Sequence, residues 1–136
     1  MIENEMADIL GEKRLSHSNA LFLVETGHPE AAEAYLLERA GMLDGDFYTG
    51  LLPLAEAMET GGRALCASII YRALLDSILN RARAKAYAHG AGHLEKPDML
   101  APAVSDWRGF ERHKLYLKHL RDQHARKRSF WPRYAK

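Results

Sequence analysis

The sequence is short of the features that make chemistry easy to read. It has one cysteine among 136 residues, which excludes an internal disulfide and any zinc site built on thiolates. Cys66 stands in the apolar run ALCASII. That is the setting of a small buried thiol, since a nucleophile needs an exposed electropositive neighbourhood. No apolar run approaches the roughly 18 residues that span a bilayer. The opening MIENEMADIL carries acids and no basic flank, so no secretory leader is expected. No Asn-Gly or Asp-Gly turn lies between alternating runs, so hairpin signals are missing. Glycine-rich phosphate loops are missing too, because the GAG and GG stretches lack a following Lys-Ser/Thr and a preceding strand. No pair of carboxylates stands out for acid–base work, and Ser16-His17-Ser18 reads as a helix start. The expectation is a soluble, cytoplasmic, non-enzymatic protein with no cofactor and no membrane contact. At this length residues 1–136 form one domain with a core of its own.

What is present is helical. Ala, Leu, Glu and Arg dominate, and Gly or Pro arrives at regular intervals as punctuation. The pattern predicts about six helices in an all-α fold: about 2–10, 15–26, 29–40, 46–60, 63–83 and 110–125. The first of these, within residues 1–14, is expected to be mobile. Gly27 suits the end of the second helix, Pro29 the first turn of the third, and Gly61-Gly62 the end of the fourth. Asp44 or Asp46 is expected to cap the fourth, which Pro53 should bend. Segment 84–106 is expected to hold a shorter helix or two, broken by Gly90, Gly92, Pro97 and Pro102.

The helix at 63–83 carries apolar residues around most of its circumference. Only Ser68, Arg72, Asp76 and Arg83 make a polar stripe. A stripe so narrow means packing on two sides, hence a central helix. Arg72 and Asp76 read as an exposed pair across one turn. The stretches Glu25–Ala40 and Thr60–Leu75 align at an offset of 35, matching Gly27 with Gly62, Ala32 with Ala67, and Leu36 with Tyr71. A turn glycine, a small residue and then a bulky one is the logic of tetratricopeptide-type hairpins. Antiparallel helical hairpins follow, stacked in a tetratricopeptide-like α-solenoid or gathered in a compact bundle.

A net charge of +1 hides a division. Residues 1–62 hold twelve acids against three bases and carry −9; residues 63–136 hold sixteen bases against six acids and carry +10. Halves of opposite sign suit self-association or another protein partner. The bases thicken toward HARKRSFWPRY (His124–Tyr134). Candidate interaction residues are therefore Arg112, Lys118, Arg121, Arg126, Lys127, Arg128 and Trp131. Phosphates favour such a patch and aromatics stack on single-stranded bases, so nucleic-acid binding is the alternative function. Burying Phe130 and Trp131 could contribute roughly 1.5–3 kcal/mol each. A tail over 124–136 that docks its rings and leaves its bases in water is therefore preferred. A protein-interaction or scaffold module is the first reading.

Seven histidines require a test for metal. His89 and His93 have the i, i+4 spacing of two ligands on one helical face. Gly90 and Gly92 weaken the helix that would present them, and no third ligand converges. No metal site is expected, and His89 and His93 stand as weak candidates.

LVETGHPEAAEAYLLERA, the stretch from Leu51 to Ala91, APAVSDW and the closing HARKRSFWPRY together resemble a bacterial family of uncharacterised, tetratricopeptide-like helical-repeat proteins. The positions that carry the resemblance are Tyr71–Leu75, Lys85, Tyr87, His89, Gly90, Asp106, Trp107, His124, Lys127, Arg128, Phe130 and Trp131. It covers about 15–134. The ending is also distantly similar to the α-solenoid region that accompanies SWIM-type zinc fingers, whose Cys-x-Cys ligands this chain lacks. The resemblance implies a helical-repeat fold and an ending that belongs to the domain; it implies no activity.

Overall fold

A computed structural model describes residues 15–134 of the chain; the helix expected at 2–10 lies outside them. Seven α-helices follow: α1 (His17–Glu25), α2 (Pro29–Glu38), α3 (Tyr48–Thr60), α4 (Ala64–Asn80), α5 (Tyr87–Leu100), α6 (His113–Gln123) and the short α7 (Trp131–Tyr134). Short 3-10 turns stand at Ala40–Met42, Ala84–Ala86 and Ala101–Ala103. No strand occurs among the described residues.

The helices begin and end where local chemistry allows. Ser16 caps α1, its Oγ accepting from the Asn19 amide at 3.2 Å, and Pro29 opens α2. The turns after α1 and α3 are built alike. Gly27 and Gly62 take φ of +84° and +75°, which an L side chain disfavours. After each, an amide reaches back five residues: His28 to the Leu23 carbonyl and Arg63 to the Met58 carbonyl, both at 2.8 Å. That is the Schellman closure of a helix end. A third such closure follows α4, where the Arg83 amide reaches the Ile78 carbonyl at 3.0 Å and Ala82 holds φ +50°.

Two buried clusters share α4. Leu23, Ala32, Tyr35, Leu36, Leu54 and Met58 meet Cys66, Ala67, Ile70, Tyr71 and Leu74 in the first. Leu75 and Leu79 turn the other way and meet Tyr87, Ala91, Leu94, Leu120 and Phe130 in the second. Ala32 and Ala67 are wholly buried, so each lets a neighbouring helix approach closely. α4 is central, and the helices pack against one another in a compact bundle.

Three local expectations are corrected. Neither Asp44 nor Asp46 caps α3, whose cap position is Phe47 with no side-chain bond; Asp44 instead accepts from the Asp46 amide at 2.9 Å. Segment 84–106 is not broken at its glycines: α5 runs unbroken through Gly90, Gly92 and Pro97. A Cβ at Gly90 would stand 3.2 Å from the Phe130 ring and 3.3 Å from Leu75, so that glycine is a socket for a distant side chain. Arg72 and Asp76 of α4 are not an exposed pair either. Ser68 and Arg72 are buried, and Arg72 lies against rings supplied by residues 107 and 116.

Candidate functional site

Two recesses lie beside α4, parted by the loop that leads into α3. At Gly45 this loop runs against the α4 backbone, and a Cβ there would fall on the Ala73 carbonyl oxygen and Ser77 Cβ. Asp46, the next residue, anchors the loop. Ser77 Oγ donates to its carboxylate, and Arg81 and Arg83 flank it. The Ser77 hydrogen bond and then the two cations hold the Asp46 carboxyl below its usual range.

On one side of the loop is an apolar cavity of about 660 Å³. Tyr48, Leu52, Leu74 and Ile78 form its body, while Arg83, Lys85, His89 and His93 bring positive or titratable groups. Arg83, Lys85 and His89 are exposed and His93 is half-buried. Because α5 continues past Gly90, His89 and His93 do share one lining. Burial, and secondly the proximity of His89, lowers His93 to about 4, so its ring is neutral at ordinary pH. The ring lies over Tyr71 at 6.0 Å between centroids. Among the described residues no three His, Cys, Asp or Glu side chains converge as metal ligands. Exposed Phe47 and Tyr48 extend the apolar surface along the loop.

On the other side is a polar recess of about 620 Å³. Its floor is Arg72, 7% exposed, with the guanidinium carbon 4.4 Å from the Tyr116 ring centroid and 5.1 Å from that of Trp107. Tyr116 Oη donates to Asp76 Oδ1 at 2.7 Å. Burial lowers the Arg72 pKa and raises those of Asp76 and Tyr116. Arg72 and Asp76 make a covered arrangement completed by α6, not an exposed pair. Sequence reading missed Trp107 and Tyr116 as its lid. The available signal was the narrowness of the stripe: a helix apolar nearly all round leaves its few polar residues under neighbours.

The basic candidates separate. Arg112, Lys118, Arg121, Arg126 and Arg128 are exposed, and Lys127 is half-buried. Only Arg121 is brought to Trp131, its guanidinium 4.6 Å over the ring. Trp131 Nε1 donates to the His124 carbonyl at 2.8 Å. Phe130 is wholly buried and meets Tyr87 edge-on at 5.7 Å. Tyr134 Oη donates to Asp98 Oδ2 at 2.6 Å, and His113, at the start of α6, holds the other oxygen of the same carboxylate. The rings of the ending thus face the bundle.

The opposite charges of the two halves meet inside the chain. Glu33 faces Arg63 at 3.7 Å and Arg108 at 3.6 Å, Glu59 faces Lys96 at 3.2 Å, and Asp46 faces Arg81 and Arg83. Cys66 is buried and its thiol pKa is raised, first by burial and then by Glu33, so it stays protonated at neutral pH. No helix among the described residues is long and apolar enough to cross a membrane.

No curated protein and no solved structure matches the chain. A family of unknown function, DUF6880, matches residues 2–133. With nearly the whole length matched, the chain belongs to that family.

Proposed function

We propose that this chain is a protein-interaction module without chemistry of its own, built from tetratricopeptide-like helical hairpins, and that it seats an acidic, apolar segment of a partner protein. The apolar cavity beside α4 with cations at its mouth carries the reading. A recess of this size suits one or two bulky side chains, and Lys85 and His89 suit acids beside them. The similar closures at Gly27 and Gly62, with buried Ala32 and Ala67 at matching positions, support the repeat character. A second copy of the chain is the weaker partner, because among the described residues five ion pairs already join the two halves internally.

Selection from a random peptide library tests this. Enriched sequences should carry Asp or Glu beside Leu, Phe or Trp. Their binding should fall about tenfold with Lys85→Glu and with Tyr48→Asp, each removing roughly 1.4 kcal/mol. Enrichment of basic sequences, or binding that ignores both substitutions, would overturn it. Oligonucleotides belong in the same assay. The exposed Arg112, Lys118, Arg126 and Arg128 pair with no carboxylate among the described residues, which favours phosphate contact as the second reading.

A further inference from the structure

We infer that the polar recess lined by Arg72 and Tyr116 is a binding site for a small monocarboxylate, gripped by the Nε–Nη2 edge of Arg72. These two nitrogens are buried and have no hydrogen-bond partner among the described residues. They lie on the same side of the guanidinium, and their N–H bonds run parallel. This fork matches the two oxygens of a carboxylate. A buried donor left unpaired is costly, and a charged one more so, which makes an edge of this kind unusual without a ligand. Tyr116 and Trp107 also lie against the group, their ring centroids 4.4 Å and 5.1 Å from the guanidinium carbon. Both nitrogens are closed off from water, so an incoming carboxylate must displace a covering side chain to reach them.

The neighbouring charges decide which anion fits. Each acid of the recess already has a partner. Asp76 accepts from Tyr116 at 2.7 Å, Glu111 meets His119 at 2.7 Å, Asp44 accepts from a backbone amide and Asp46 holds Ser77 with two arginines. None forms an ion pair with Arg72, and four carboxylates against two guanidiniums leave the recess negative. A doubly charged phosphate meets that field twice over, and a monoanion meets it once. About 620 Å³ is room for a small organic acid. This site stands on the opposite side of the Gly45 loop from the apolar cavity, and the inference does not rest on the cavity.

The test is a titration of the full chain with sodium propionate, followed by NMR of the Arg72 Nε–H and the Trp107 indole. Inorganic phosphate and chloride run in parallel. A saturable shift of both signals with propionate, at least about tenfold tighter than with phosphate, is expected. Arg72→Lys keeps the charge and loses the fork, and should weaken propionate at least about tenfold. No saturable shift, phosphate binding as tight as propionate, or an unchanged affinity in Arg72→Lys would each overturn the assignment. Should Arg72→Lys fail to fold, the comparison of propionate with phosphate on the native chain decides alone.

Discussion

Ala82 sits after α4 with φ +50°, at the place where Gly27 and Gly62 close the two earlier helices. Holding an L residue in that region costs about 1–2 kcal/mol, while glycine adopts it freely. Ala82 is exposed, so replacing it removes little packing. Ala82→Gly should raise stability by about 1 kcal/mol and the melting temperature by several degrees, measured by thermal unfolding. A lower melting temperature would mean that the turn is held open by something other than its backbone. The earlier two closures were legible because glycine marks them. This one was not, since alanine marks nothing, and only the backbone reveals it. Arg72 was hidden for a related reason: its lid, Trp107 and Tyr116, lies more than thirty residues further along the chain.

At the scale of an element, α5 and the closing residues depend on each other. Gly90 exposes helix backbone to the Phe130 ring, and Tyr134 and His113 share Asp98. Phe130→Ala should cost about 3–5 kcal/mol, the usual toll for emptying a filled aromatic site, and lower the melting temperature on the order of 10 °C. Trp131→Ala should cost less, because Trp131 is only half-buried. Melting curves unchanged in both variants would show that these rings do not pack on α5. The helix boundaries at Gly27, Pro29 and Gly62 could be read from local chemistry alone. The continuity of α5 could not, because the residue that makes Gly90 useful is forty positions away. The interruption read into 84–106 came from treating glycine as punctuation where it is a contact surface.

Across the whole molecule the dominant pattern is the meeting of an acidic first half with a basic second half. Most of the pairs are partly exposed and contribute little each. Glu33 differs, being only 6% exposed between Arg63 and Arg108. Glu33→Gln should destabilise by about 1–3 kcal/mol in urea unfolding, whereas Glu38→Gln, at an exposed carboxylate, should change stability by less than about 0.5 kcal/mol. Equal effects would mean that burial of Glu33 does not govern its pairing. The division of charge was plain in the sequence, but its resolution within one chain needed the fold. It also has a consequence in time. Synthesis releases Glu33, Asp46 and Glu59 before any of the bases that meet them, and Phe130 after the whole of α5. A growing chain therefore carries an unbalanced negative segment until its later residues emerge, and the socket at Gly90 stays empty until Phe130 follows them. The bundle closes late, and its acidic first part must wait without its partners.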